Sequence, residues 1–144
     1  MGKKKEAAIT VILDTNVLVS ALIFKGELEK LVDLWKKDKI RPLFSKATFA
    51  EFRRVLDYPK FRLSAAEIAA IIQEDVLPFF DVVEPVKKKS GLCRDPEDDK
   101  FIALAMTAGA DFIITGDDDL LSLRKVEKTD IVKPAVFRDM LQRI

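Results

Sequence analysis

The sequence predicts an α/β domain built on a mostly parallel sheet. Short β-branched or aliphatic runs such as Ile9-Thr10-Val11-Ile12-Leu13 and Phe112-Ile113-Ile114 are apolar on both faces, as strands sandwiched between helices must be. Stretches with apolar residues at helical spacing alternate with those runs. The 144 residues contain no linker, internal repeat or low-complexity segment, so one domain with one sizeable core is expected.

Residues 9–13 read as a buried strand. Asp14-Thr15-Asn16 then leads into a helix over 17–24, which Gly26 ends. Residues 28–37 place Leu28, Leu31, Val32 and Trp35 on one helical face. A second strand covers 40–44. Ser45 is placed to cap a helix running to Leu56, and Pro59 closes that unit. Ser64 and Glu67 have capping-box spacing for a helix over 64–76. Residues 79–86 read as a strand and 87–91 as a basic loop. Asp95-Pro96 opens a helix through Ala108, with Asp at the N-cap and Pro at the first helical position, and Gly109 ends it. Residues 111–115 form a strand, 116–123 a loop with a helical turn, 131–132 a last strand and 134–143 a last helix.

Composition narrows the chemistry. There is no His, which excludes a Ser-His-Asp triad, a His general base and His-ligated zinc. The single thiol, Cys93, makes neither an internal disulfide nor a four-thiolate zinc site, and it fits a reducing compartment. The five glycines are too scattered for a phosphate-cradling loop. No apolar run approaches the roughly 20 residues of a membrane span. Lys3-Lys4-Lys5 precedes an apolar stretch as in a signal peptide, but Asp14 interrupts it, and Glu6 stands where myristoylation wants Ser or Thr. A soluble cytoplasmic protein is expected. Carboxylates and bound metal remain as agents of chemistry.

The formal net charge of +1 hides a segregation. Residues 95–119 carry eight acids, Asp95, Glu97, Asp98, Asp99, Asp111, Asp117, Asp118 and Asp119, against one base, Lys100. The rest of the chain carries the compensating positive charge. An acidic patch in a basic background suits a cation site that handles a polyanion, although charges also cluster on solvated faces.

Each acid has two readings on local grounds. Asp14, directly after a buried strand, either caps the next helix or ligates a cation. Asn16 is a turn residue or an orienting partner. The Asp117-Asp118-Asp119 run is a turn or a site beyond the carboxyl end of a strand, where open parallel sheets bind ligands. Asp95 is explained as an N-cap. Asp99 heads a buried stripe with Ile102, Ala103 and Met106, so its carboxylate needs a partner. Glu51 either points inward with Ala47 and Val55 or pairs with Arg54 at i+3.

Taken in order, Leu13-Asp14-Thr15-Asn16-Val17-Leu18, a helical Glu51, Asp95-Pro96-Glu97-Asp98-Asp99 before Ile102-Ala103, and Ile114-Thr115-Gly116-Asp117-Asp118-Asp119-Leu120 resemble the PIN domain family of metal-dependent nucleases. The likeness runs from about Val11 to Met140 and is greatest to VapC-like toxin components of toxin–antitoxin pairs. It implies a three-layer α/β/α sandwich whose acids converge on one or two Mg²⁺ or Mn²⁺ ions. The matching acids here are Asp14, Glu51, Asp99 and Asp117. Asp119 matches a further acid, Asn16 and Thr115 match supporting polar positions, and Asp95 and Asp98 belong to the local motif. The doubled Asp98-Asp99 leaves that ligand's register open by one residue.

Oxygen-only ligands suit hard Mg²⁺ or Mn²⁺, and a His-free site leaves water activation to the metal. The expectation is hydrolysis of a phosphodiester by in-line attack of activated water, with Asp99 or Asp117 also orienting it. The resemblance implies single-stranded RNA as substrate, an antitoxin partner and a homodimer. Arg53, Arg54, Lys60, Arg62, Lys87, Lys88, Lys89 and Arg94 are candidates to bind the phosphate backbone. Trp35 and Tyr58 alone do not make a base-stacking platform. The rivals are a haloacid-dehalogenase-type phosphatase, a receiver domain and a non-catalytic RNA- or protein-binding domain. The phosphatase needs an acid where Asn16 stands, and the receiver an acidic pair where only Asp14 is found.

Overall fold

A computed structural model describes residues 8–86, 92 and 95–143. Lys87, Lys88, Lys89 and Arg94 lie outside the described residues. The elements follow in the order β1 (Ile9–Leu13), α1 (Thr15–Ile23), α2 (Glu29–Lys36), β2 (Ile40–Phe44), α3 (Lys46–Leu56), α4 (Ala65–Ala70), β3 (Asp81–Val82), α5 (Asp99–Ala108), β4 (Phe112–Ile114), α6 (Asp118–Leu121), β5 (Lys125–Val126), β6 (Thr129–Val132) and α7 (Pro134–Gln142). The sheet order is β3-β2-β1-β4-β6-β5, parallel throughout except for β5, which runs antiparallel to β6.

Alternation along the strands builds the three layers. Val11, Leu13 and Ile114 face a core formed with α1, α2, α3, α4 and α7, including Leu18, Trp35, Phe52, Ile68 and Phe137. Ile12 and Ile113 face the other way, onto Phe101, Ile102, Leu104 and Ala105 of α5 and Leu120 of α6. This is the expected sandwich. β1 and β4 are its central strands, and chain connections leave them toward opposite edges, so a crevice opens at their carboxyl ends. At their other ends, Asp111 closes a clasp on Thr10. Its Oδ2 accepts from Thr10 N at 2.9 Å and Oγ1 at 3.2 Å, and its N donates to Thr10 Oγ1 at 3.0 Å.

Local chemistry sets the helix ends. Ser45 accepts from Thr48 N at 3.1 Å while Thr48 Oγ1 accepts from Ser45 N at 2.9 Å. Ser64 and Glu67 form the same reciprocal box, as their spacing predicts. Gly109 ends α5 at φ +63°, a left-handed conformation that glycine adopts without steric cost.

Two expectations need correction. The helix over 64–76 is not uniformly α: Ile71–Val76 widens into a π-helical stretch, whose end is marked by Leu77 N donating to Ile72 O. The Asp75 carbonyl in this stretch accepts the Trp35 indole N–H at 2.9 Å. The strand over 79–86 shrinks to Asp81–Val82. Phe79 and Phe80 instead close the preceding turn on Val76 O, and Phe80 stacks on Phe44 with ring centroids 4.4 Å apart. Aromatic packing takes those two residues away from the sheet edge. The strand β5 was not anticipated; two residues offer no periodicity to read.

Candidate active site

The carboxyl ends of β1 and β4 deliver Asp14 and the segment 115–117 side by side, with Asp14 N bonded to Ile114 O at 3.0 Å. Asp14 is buried and caps α1, accepting from Asn16 N at 3.3 Å. Its second oxygen accepts from the Thr115 hydroxyl at 2.5 Å. Thr115, fully buried, also accepts from Asp117 N at 2.9 Å. One threonine therefore ties both aspartates to the sheet. Asp117 caps α6 through a 2.9 Å bond from Asp119 N. Capping, one of the two local readings, holds for both aspartates, and both also line a cleft.

An open cleft of about 530 Å³ lies above these residues. Asp14, Asn16, Glu51, Asp98, Gly116 and Asp117 are among those that line it. The structure thus gathers acids from β1, α3, the start of α5 and the end of β4. Of the doubled pair, Asp98 faces the cleft, whereas Asp99 is buried on α5 at 5 % exposure and is not part of the lining. The reason is pitch. Pro96–Asp98 forms a 3₁₀ turn ahead of α5, where residues i and i+3 eclipse, so Asp95 and Asp98 share a face and Asp99 turns into the core. Carboxylate oxygens of Asp95, Asp98 and Asp119 lie within 4.8 Å of one another. Asp98 therefore borders both the cleft and this second group of acids.

Electrostatics marks the same place. Burial pushes the Asp14 carboxyl up, against the opposing hydrogen bonds from Thr115 and Asn16, with the charges of Asp117 and Glu51 adding to the rise. Asp98 is pushed up to about 7, first by burial, then by its hydrogen bond with Asp117 and by the charges of Asp117, Asp95 and Asp14. One oxygen of Asp98, Oδ2, is buried with no hydrogen-bond partner. A buried, partnerless carboxylate oxygen in an all-oxygen donor set fits a hard divalent cation.

Glu51 does not pair with Arg54. Its Oε1 sits 2.5 Å from Lys100 Nζ, the one base of the acidic segment. That pair joins α3 to α5, with Glu51 among the residues that line the cleft, and nothing in the spacing of the sequence pointed to it. Arg53, Arg54, Lys60 and Arg62 are all exposed.

A groove of about 400 Å³ continues from the cleft, sharing Asn16 and Ser20 with it and running to Phe24, Lys60 and Phe61. Phe24 is 55 % exposed, its ring centroid lies 6.2 Å from that of Phe61, and Lys60 Nζ stands 5.2 Å from the Phe61 centroid. Trp35, by contrast, is buried. Phe24 and Phe61 thus form a tilted aromatic pair along the groove, and helical periodicity alone does not separate them from core phenylalanines.

Comparison with known proteins bears on the family and the fold. Residues 10–119 match the sequence profile of the PIN domain family. A curated relative, the uncharacterised protein MJ1680 of Methanocaldococcus jannaschii, is 35 % identical over 132 residues, covering 89 % of this chain and 83 % of that protein. Among solved structures, VapBC2 from Rickettsia felis bound to a DNA fragment from their promoter superposes with a TM-score of 0.60 at 13 % identity, over 85 % of this chain and 97 % of the other. FitAcB from Neisseria gonorrhoeae gives 0.56 at 18 % identity, over 87 % and 98 %. The PIN domain endonuclease Utp24 gives 0.53 at 22 % identity, over 85 % and 82 %. These structural likenesses concern the fold, and the profile match concerns the sequence itself: the chain belongs to the PIN domain family.

Proposed function

We propose that this protein is a metal-dependent endoribonuclease that hydrolyses phosphodiester bonds of single-stranded RNA, and the toxin of a toxin–antitoxin pair. The observation that carries the nuclease reading is the cleft at the ends of β1 and β4, which is lined by the four carboxylates of Asp14, Glu51, Asp98 and Asp117. In that reading Asp14, Asp98 and Asp117 hold Mg²⁺ or Mn²⁺, and Glu51 closes the fourth side. When bound, the cation lowers the pKa of water and offsets charge on the phosphate. Thr115 keeps Asp14 and Asp117 aimed at the cleft, and Asn16 stands at its rim. Asp119 and Asp95 flank Asp98 as outer acids. Asp99 acts from the core side of α5. To hold such a cation Asp98 would have to be deprotonated, as any ligand carboxyl must be.

Substrate binding falls to the basic and aromatic surface beside the cleft. Lys60 is placed to meet the phosphate backbone, and Phe24 and Phe61 to stack bases. Arg53, Arg54 and Arg62 extend the positive surface. RNA rather than DNA, the antitoxin and the homodimer are carried over from the resemblance to VapC-like toxins; the VapBC2 and FitAcB structures support the fold on which that resemblance rests. The lone thiol suits a cytoplasmic location, and no helix among the described residues is long and apolar enough to cross a membrane.

The test is cleavage of labelled single-stranded RNA and DNA by wild type beside Asp14→Asn, with Mn²⁺, Mg²⁺ or chelator. Metal-dependent cutting that disappears in Asp14→Asn is expected, with RNA preferred. No cutting by folded wild type at any metal concentration would overturn the catalytic reading in favour of a binding domain. Sedimentation showing only monomer at working concentration would remove the homodimer.

A further inference from the structure

Lys100 is paired with Glu51, one of the acids that line the cleft. Its ammonium lies 2.5 Å from Glu51 Oε1, and the two side chains are only 17 % and 18 % exposed. The pair is therefore shielded from the screening that weakens surface ion pairs. The ammonium is also held from behind. It donates to the main-chain carbonyl of Glu97, lies 3.7 Å from Glu97 Oε1, and sits 5.3 Å from the centroid of the Phe101 ring. Lys100 and Phe101 lie in the first turn of α5, beside Asp98 and Asp99, so this anchor is built into the element that presents the site's acid.

We propose that Lys100 is a positioning residue: a built-in cation that holds Glu51 outside the metal's coordination shell and limits the cleft to a single divalent ion. This rests on the metal-centre reading above. With Glu51 engaged, Asp14, Asp98 and Asp117 remain as cleft-lining acids, which matches the needs of one Mg²⁺ or Mn²⁺ that keeps several waters. A two-ion centre needs carboxylates to serve both ions, about 3.5–4 Å apart. Here the Glu51 side of the cleft is already neutralised by a fixed charge. That charge does not depend on the concentration of free metal.

The experiment counts ions rather than turnover. Mn²⁺ bound per chain is measured by electron paramagnetic resonance and calorimetry for wild type, Lys100→Met and Lys100→Arg, each checked for its melting transition. The expected result is one Mn²⁺ for wild type, two for Lys100→Met, and one again for Lys100→Arg, where the charge is restored. A wild type that binds two ions overturns the proposal, as does a folded Lys100→Met that still binds one. If Lys100→Met does not fold, Glu51→Gln decides: retention of the single ion supports the assignment, and its loss overturns it. Absence of Mn²⁺ from wild type overturns the metal-centre reading together with this one, whereas one ion in every variant overturns this one alone.

Discussion

Thr115 carries a large geometric responsibility at the site, since its hydroxyl donates to Asp14 and accepts from Asp117 N. Thr115→Val keeps the shape and removes both bonds. By analogy with outer-shell partners of metal ligands, Mn²⁺ affinity should fall by about 10–100-fold; calorimetry showing wild-type affinity would refute the role. Asp14→Asn should behave differently. Asn remains a good cap and can still accept from Thr115, while like-charge repulsion is relieved. The metal-free variant should thus melt no lower than wild type, and a large drop would mean that the charge itself was structural. Asp98 gives a pH dependence whose sign is fixed. Its carboxyl moves from the ordinary 3.8 to about 7 in the fold, so between those values the folded state binds more protons than the unfolded chain. That contribution to stability is full below about pH 4 and is lost as pH rises through about 7. Metal-free wild type should melt higher at pH 5 than at pH 8, with a smaller difference in Asp98→Asn; an unchanged difference would clear Asp98. Mn²⁺ affinity should climb over the same interval as the proton leaves. The placement of Asp14 and Asp117 at the cleft was legible in the sequence because each follows a strand and precedes a helical turn, a local pattern. That Asp98 rather than Asp99 lines the cleft was not, because it depends on one turn of 3₁₀ pitch.

Among the elements, those with a long apolar pattern at helical spacing were legible: α2, α3 and α5 begin and end within about a residue or two of the sequence reading, except where the 3₁₀ turn precedes α5. What escaped was set by tertiary contacts. The π-helical stretch Ile71–Val76 accommodates a bond to Trp35, 40 positions away in the chain, and β3 starts late because Phe80 is drawn against Phe44. The Lys100–Glu51 bridge has the same origin, joining α3 and α5 over a sequence distance no helical periodicity reports. The groove from α1 to the 3₁₀ turn Pro59–Phe61 is likewise a product of packing. Its prediction belongs at this scale. Phe24→Ala should weaken binding of single-stranded RNA by about 1–3 kcal/mol, the usual worth of one stacked base, while leaving Mn²⁺ binding unchanged. Fluorescence titration in chelator against calorimetry with Mn²⁺ separates the two, and equal loss in both would show a folding defect instead.

For the molecule as a whole, the fold class was the most legible property, because apolar strands and alternating helices specify layers before they specify residues. Ion binding should stabilise that whole. At a free Mn²⁺ concentration 100-fold above its dissociation constant, the folded state gains about 2.7 kcal/mol if the unfolded chain binds none. A thermal melt with and without chelator checks this, and an unmoved transition would argue against a native metal site. The clasp between Thr10 and Asp111 bears on the same cooperativity from the far end of the sheet. Neither residue touches the cleft, yet both fix how β1 lies against β4, with Val11 opposite Phe112 and Leu13 opposite Ile114. Sliding β1 by one residue would turn Asp14 toward the opposite layer. The clasp therefore works as a vernier: it sets zero at one end of two five- and three-residue rulers so that the marks at the other end, Asp14 and Thr115, coincide. Damage there would be read out as lost alignment in a place where nothing had been mutated.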